Sequence, residues 1–135
     1  MDMYRAVILD HYRHPHNFGH LKKPDRKSGE GNVSCGDRID IEITLRGKVG
    51  QEVVSDIKFW GVGCAISMAS ASLLTDKVHG MKIAKVLQLN RSDVLGLLGT
   101  ELTATRIVCA LLPLQAIHKA LRNNPCLEIE NSGIV

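Results

Sequence analysis

Three of the four cysteines in this chain lie in local sequences that suit a metal ligand or a nucleophile. Cys35 lies in a turn-like Ser-Cys-Gly-Asp segment, in which glycine permits a tight backbone and Asp37 adds a carboxylate. Cys64 follows Gly-Val-Gly at a predicted strand-to-helix junction, where backbone N–H groups and the helix dipole favour thiolate over thiol. Cys109 comes three residues after Arg106, whose cation can stabilise a thiolate. These residues are therefore candidates for metal binding or sulfur chemistry.

A site that combined all of these candidates would offer three thiolates and one carboxylate, the four ligands that a tetrahedral iron or zinc ion requires. A hard carboxylate binds cluster iron less firmly than a thiolate, so such a set suits making and releasing a cluster rather than keeping one. The alternative for any solitary cysteine is a small buried hydrophobe, and apolar Ile107, Val108 and Ala110 leave that alternative open for Cys109. Cys126 shares none of these surroundings and is assigned no role.

The six histidines are expected to be ordinary solvent-facing residues rather than ligands, because histidine is often partly exposed. They lie in the predicted first helix, in the loop that follows it, and near the ends of later helices: His11, His14, His16, His20, His79 and His118.

Length and composition predict one ordinary domain over residues 1–135, since 44% hydrophobic and 23% charged residues can form a core without disulfides. A net charge of +3 with both signs interspersed does not indicate nucleic-acid binding. No apolar run approaches the roughly 18 to 20 residues of a membrane span, and the first ten residues lack the features of a signal peptide. The chain is therefore expected to be cytoplasmic, to bind neither nucleic acid nor membrane, and to keep its cysteines reduced.

Two segments precede the first cysteine motif. Residues at helical spacing predict an amphipathic first helix that ends at Pro15 and docks one face on the domain: Tyr4, Val7, Ile8, His11 and Tyr12. Segment 14–32 is rich in Pro, Gly, His and Lys, which predicts a long loop held by Phe18 and Leu21. A short strand near Asn32 and Val33 is expected to close it.

Segments 39–46 and 53–60 predict an antiparallel hairpin. Isoleucine and leucine alternate with polar residues over 39–46, which is typical of a strand with one buried face. Residues 47–50 supply the turn, and Ile57 and Phe59 mark the buried face of the returning strand.

The second half of the chain predicts helices over 65–78, 83–89, 94–98 and 106–123. The first of these carries small residues that would let it lie close to the sheet or to another helix: Ser67, Ser70, Ala71 and Ser72. Pro113 cannot donate a hydrogen bond to the carbonyl of Cys109. The last helix is therefore expected to start near Leu112 or to kink there, with Cys109 in an irregular or first-turn segment.

Several of these motifs together resemble those of one known family. Segment 10–19, Asp-His-Tyr-Arg-His-Pro-His-Asn-Phe-Gly, resembles its N-terminal motif, and Cys35-Gly36-Asp37 resembles its first ligand motif. Segment 61–67, Gly-Val-Gly-Cys-Ala-Ile-Ser, resembles the second, and Cys109 stands where the third cysteine would be. The family is that of the IscU/NifU-type iron–sulfur cluster assembly scaffolds, and the resemblance covers about residues 3–121.

The resemblance implies an α+β fold of the SufE/NifU-like kind, with a three-stranded antiparallel sheet packed against about five helices. It also implies that a [2Fe-2S] cluster is assembled on Cys35, Asp37, Cys64 and Cys109. The expected partners are a cysteine desulfurase as sulfur donor and apo acceptor proteins for the finished cluster, and a homodimer is left open. Cys35 and Cys109 are the candidate persulfide acceptors, and Arg106 would stabilise the thiolate of Cys109.

Two departures from the IscU branch lie around Cys109. Val108 replaces a histidine, so that Asp37 is expected to be the fourth ligand, and segment 102–106 lacks the Leu-Pro-Pro-Val-Lys sequence that a dedicated chaperone reads. Tyr12, Arg38 and the serine-rich helix are similar to the SufU branch, which holds zinc at a Cys3Asp site, although that branch's insertion before its third cysteine is missing. A non-enzymatic scaffold is thus the leading hypothesis. A zinc-dependent sulfurtransferase and a purely structural zinc module are the alternatives.

Overall fold

The computed structural model describes residues 3–33 and 36–122, over which a three-stranded sheet is covered by five helices. The elements follow in the order α1 (Met3–Arg13), β1 (Arg26–Asn32), β2 (Asp37–Arg46), β3 (Val53–Val62), α2 (Ala65–Val78), α3 (Ile83–Val86), α4 (Arg91–Leu98) and α5 (Ala104–Arg122). The strands are antiparallel, with β2 in the centre. The predicted α+β fold is confirmed. The end of the predicted last helix at residue 123 and the tail with Cys126 lie outside the described residues.

The central hairpin forms as its side-chain pattern predicts. Ile39, Ile41 and Ile43 of β2 have no exposed surface, and Ile57 and Phe59 of β3 are equally buried. These side chains form the core between the sheet and the helices. Burial of such apolar surface is the main favourable term in folding.

β1 lies within the segment that the sequence predicts as a loop, so that prediction is wrong for residues 26–32. The strand pairs with β2 from Arg26 opposite Ile43 to Asn32 opposite Asp37, so it ends where the short strand was expected to begin. Its sequence, Arg-Lys-Ser-Gly-Glu-Gly-Asn, contains no hydrophobic residue and therefore no alternation. The hydrogen-bonding edge of β2 and the packing of α5 form this strand, rather than its own side-chain pattern.

The segment between α1 and β1 is held against the sheet at Phe18, as expected. The Phe18 ring packs edge to face on Phe59 with ring centroids 5.3 Å apart. On either side, Gly19 N donates to Phe59 O at 2.8 Å and Phe59 N donates to Asn17 O at 2.9 Å.

α1 packs on α2, but through a narrower face than expected. Ile8 and His11 are buried, whereas Tyr4, Val7 and Tyr12 remain substantially exposed because α1 lies at the margin of the domain. The expectation of six solvent-facing histidines is therefore wrong for His11. Burial lowers the pKa of His11 below its ordinary value, as does neighbouring His16, while Asp76 and Asp10 partly offset both effects.

α2 spans the predicted residues, and its small side chains are buried against neighbouring elements. Ser70 Oγ donates a 2.6 Å hydrogen bond to Ala110 O, which joins α2 to α5. Because serine and alanine lack bulk, these helices can approach closely.

α5 continues through Pro113, so the expectation of an irregular Cys109 is wrong. The helix begins at Ala104, where Thr103 O accepts from Ile107 N at 2.9 Å and Thr103 Oγ1 from Arg106 N at 3.4 Å. Cys109 thus lies inside the helix. Buried packing of α5 against α2 and the sheet compensates for the N–H group that Pro113 lacks.

The two short helices differ from their predicted bounds. α3 ends at Val86, three residues earlier than predicted, and α4 begins at Arg91, three residues earlier than predicted. Asn90 fixes the start of α4 through a reciprocal capping box with Asp93. None of the helices described here is long and apolar enough to cross a bilayer.

Candidate metal centre

Three of the predicted ligands meet in space although they are far apart in the sequence. Asp37 begins β2, Cys64 is the N-cap residue of α2, and Cys109 lies near the start of α5. Each offers one ligand atom, and these atoms all lie within 4.8 Å of one another. Cys35 lies outside the described residues, and Arg106 is exposed, one helical turn before Cys109.

The two oxygens of Asp37 have different surroundings. Asp37 is only 5% exposed. Its Oδ1 accepts a 3.2 Å hydrogen bond from Cys64 N, whereas its Oδ2 is buried and has no hydrogen-bond partner among the described residues. Buried polar atoms are nearly always paired, so an unpaired carboxylate oxygen requires an explanation. A cation bound between this carboxylate and the two thiols would provide one, and a set of one oxygen and two sulfurs fits zinc or cluster iron.

Gly63, the last residue of the Gly-Val-Gly sequence before Cys64, has no room for a side chain. A Cβ atom on Gly63 would collide with the hydroxyl group of Ser67 and would lie 3.4 Å from Asp37 Cγ. The Ser67 hydroxyl donates to Cys64 O at 3.1 Å. Gly63 therefore lets the carboxylate and the first turn of α2 approach the same stretch of backbone. The sequence shows this glycine, but it does not show what lies against it.

Solvent access to the three residues is unequal. Cys109 is 1% exposed and Asp37 is almost as buried, whereas Cys64 is partly exposed. Of these three residues, Cys64 is therefore the most accessible to solvent.

Comparison with known proteins covers nearly the whole chain. Residues 3–128 match the sequence model of a family described as NifU-like N terminal domain. The chain is 35% identical over 136 positions to the zinc-dependent sulfurtransferase SufU of Bacillus subtilis, covering 88% of this chain and 89% of that protein. It is 32% identical over 120 positions to the iron-sulfur cluster assembly scaffold protein IscU of Aquifex aeolicus, covering 89% of this chain and 74% of that protein.

Solved structures agree with the fold. A protein described as hypothetical superposes with a TM-score of 0.73 at 28% identity, over 90% of this chain and 98% of that one. The N-terminal part of a NifU-like protein from Brucella abortus superposes with a TM-score of 0.68 at 22% identity, over 89% of this chain and 92% of that one. The similarity therefore extends over the architecture and is not restricted to the cysteine motifs.

Proposed function

This chain belongs to the family of NifU-like N-terminal domains, and from that membership we propose that it is a scaffold for iron–sulfur cluster assembly. The cluster is its cargo, built from iron and sulfur and then passed to acceptor proteins. The observation that carries the proposal is the convergence of Asp37, Cys64 and Cys109, with one carboxylate oxygen buried and unpaired by the described residues. A relative named as an IscU scaffold, which aligns with 89% of the chain, supports the same function.

The proposed ligands of a [2Fe-2S] cluster are Cys35, Asp37, Cys64 and Cys109. Cys35 precedes Asp37 by two residues in the sequence, so a short stretch of backbone joins it to the cluster of three. Cys64, fixed at the start of α2, is the anchor. Asp37 is the labile ligand, because a carboxylate binds cluster iron less firmly than a thiolate does.

Sulfur arrives, in this proposal, as a persulfide on a cysteine desulfurase. A thiolate of the scaffold attacks the outer sulfur, a new S–S bond forms on the scaffold, and the desulfurase cysteine leaves as a thiolate. Reduction of the transferred sulfur to sulfide takes two electrons from a separate reductant. Cys35 and Cys109 are the candidate acceptors, and Cys109 is buried among the described residues. Arg106 would stabilise the thiolate of Cys109 from one helical turn away.

The proposed partners follow from the chemistry of the proposed function. Assembly needs a source of persulfide sulfur, and a cysteine desulfurase would supply it. Apo iron–sulfur proteins must accept the product. We propose that the chain meets both kinds of partner in the cytoplasm, where thiols remain reduced.

The alternative function is a zinc-dependent sulfurtransferase, and the chemistry of the proposed ligand set supports this alternative. Val108 stands where the IscU branch carries a histidine, so no histidine beside Cys109 is available as a ligand. The relative from Bacillus subtilis is named as such an enzyme. Bound zinc would hold the thiols deprotonated. Asp37, Cys35, Cys64 and Cys109 would hold it, and one freed thiolate would accept sulfur.

Anaerobic reconstitution tests the scaffold proposal. Incubation of the metal-free protein with ferrous iron and sulfide should give a coloured species with sulfur-to-iron charge-transfer absorption. Cys64→Ser should abolish that absorption, because it removes the anchor ligand, while Cys126→Ser should retain it. A wild-type protein that stays colourless would overturn the proposal.

Metal analysis of protein purified without air separates the alternatives. One tightly bound zinc per chain, together with strong stimulation of a cysteine desulfurase, would favour the sulfurtransferase. A purely structural zinc module predicts that Cys64→Ala unfolds the domain. Under both sulfur-handling functions, that variant should keep its circular dichroism spectrum.

A further inference from the structure

A second group of metal-ligating side chains lies between α1, the segment that follows it, and α2. His11, His16 and Asp76, here called the His–His–Asp cluster, each offer one ligand atom, and these atoms lie within 4.8 Å of one another. His16 Nδ1 lies 2.6 Å from Asp76 Oδ2, and the two imidazole rings have centroids 4.5 Å apart. Metal–ligand bonds of about 2.0–2.1 Å place ligand atoms about 3–3.5 Å apart, so small side-chain movements would suffice.

Neighbouring side chains already orient these potential ligands. Asn17 Nδ2 donates to Asp76 Oδ1 at 2.9 Å, which leaves Oδ2 directed at His16. Ser72 Oγ accepts from His16 N at 2.8 Å and lies 2.7 Å from His11 Nδ1. The contact with Ser72 fixes the orientation of the His11 ring. Metal-binding histidines commonly have such an outer hydrogen-bond partner.

The cluster is open to ions from solvent. His11 lies at its base and is 9% exposed, while the side chains of His16 and Asp76 are 50% and 46% exposed. If these residues only held the N-terminal segment against α2, the contact of His16 with Asp76 would be enough. The imidazole of His11 at the same point supplies the third ligand atom that a metal site needs.

The cluster is also too far from the first centre to share an ion with it. Ser72 and Asp76 follow Cys64 by 8 and 12 residues along α2. At 1.5 Å per residue, these positions lie about 12 and 18 Å further along the helix axis.

We propose that His11, His16 and Asp76 bind one divalent transition-metal ion, which joins α1 to α2. Two imidazoles and a carboxylate suit ions such as Zn²⁺, Co²⁺, Ni²⁺ or Fe²⁺ better than Mg²⁺ or Ca²⁺, which prefer oxygen ligands. Because the ligands come from two separate parts of the chain, the ion binds the folded state and stabilises it by mass action. The site acts independently of cluster assembly at the cysteines.

Titration of the full chain with Co²⁺ under argon tests this site. Co²⁺ bound by thiolates gives an intense near-ultraviolet charge-transfer band, whereas Co²⁺ bound by imidazole and carboxylate gives only weak visible bands. The wild-type protein should bind Co²⁺ at the thiolates. It should also bind one further equivalent of Co²⁺ that adds no thiolate absorption. Asp76→Asn and His16→Gln should each lose that equivalent and should also lose part of the rise in melting temperature that Co²⁺ causes.

His14→Gln is the matched control, because His14 is exposed in the same segment but lies outside the cluster. It should bind as many Co²⁺ ions as the wild type. The thiolate band reports separately on the first centre, so failure at one centre is distinguishable from failure at the other. The inference is overturned if Asp76→Asn and His16→Gln bind the wild-type number of ions, or if His14→Gln loses the same equivalent.

Discussion

The two carboxylate oxygens of Asp37 differ in their hydrogen bonding. Its Oδ1 accepts from the backbone of Cys64 and so ties β2 to the start of α2. Its Oδ2 is buried beside two thiols without a hydrogen-bond partner among the described residues. A buried acceptor left unpaired typically costs about 1–3 kcal/mol. Metal binding would offset that cost, and this gain would add to the affinity for the ion.

Replacing Asp37 by asparagine should separate the two contacts. The amide oxygen of Asp37→Asn can still accept from Cys64 N, but the anionic ligand is lost. We expect the affinity for Zn²⁺ to fall by about tenfold or more, while the metal-free protein loses less than about 1 kcal/mol of unfolding free energy. Competition with a chromophoric chelator and urea denaturation measure the two quantities. Asp40→Asn, which removes a surface ion pair with Arg38, is the control, and equal affinities of both variants would contradict the assignment.

At the scale of elements, the site depends on how closely α2 approaches α5. α2 carries Cys64 at its start, and α5 carries Cys109. Ser70, 1% exposed, lies between the helices and donates to Ala110 O, next to Cys109 in the sequence. Small side chains at this interface therefore bring Cys109 close to Asp37 and Cys64.

Enlarging Ser70 should push the helices apart. Ser70→Leu overpacks a filled interface, and we expect it to lower the unfolding free energy by about 2–3 kcal/mol. Ser70→Ala, which loses only the hydrogen bond, should lower it by about 1 kcal/mol. Lys77→Leu, on the exposed side of the same helix, should stay within about 0.5 kcal/mol of the wild type in urea denaturation. Equal effects of Ser70→Leu and Lys77→Leu would show that the interface is not closely packed.

The elements also show which parts of the structure can be predicted from sequence. β2, β3 and α2 can be predicted because the alternation or helical spacing of their own side chains indicates which face is buried. β1 is not, because its residues are polar and the neighbouring strand supplies its order. The continuity of α5 through Pro113 depends on tertiary packing, which outweighs local propensity. Asp37, Cys64 and Cys109 were suggested by their local motifs, but the pairing of His16 with Asp76 joins residues 60 positions apart and leaves no local signal.

For the molecule as a whole, one buried carboxylate links the N-terminal segment to the sheet. Glu42 of β2 accepts from Leu21 N at 2.8 Å and lies 2.6 Å from His20 Nδ1. Burial alone would raise the pKa of Glu42. The hydrogen bonds from His20 and Leu21 and the charges of His20 and Lys27 outweigh burial, so the pKa lies below its ordinary value of 4.5.

This shift predicts how stability depends on pH. Because the folded carboxyl group binds its proton more weakly than the unfolded one, its contribution is present above about pH 4.5 and is lost as the pH falls through the folded pKa. Between about pH 5 and 3, the unfolding free energy should fall more steeply for the wild type than for Glu42→Gln. Glu101→Gln, at an exposed position, should follow the wild-type slope. Parallel curves for Glu42→Gln and the wild type, measured by urea denaturation across this range, would refute the assignment.

Release of a cluster is the property that distinguishes a scaffold from a protein that keeps its metal. The most direct measurement is anaerobic transfer from the reconstituted chain to an apo [2Fe-2S] ferredoxin, followed by circular dichroism in the visible range. A carboxylate among the ligands predicts that the ferredoxin spectrum appears as the scaffold spectrum disappears, faster than with equal amounts of free iron and sulfide. A cluster that remains on the chain, or a transfer no faster than the free ions allow, would contradict the account.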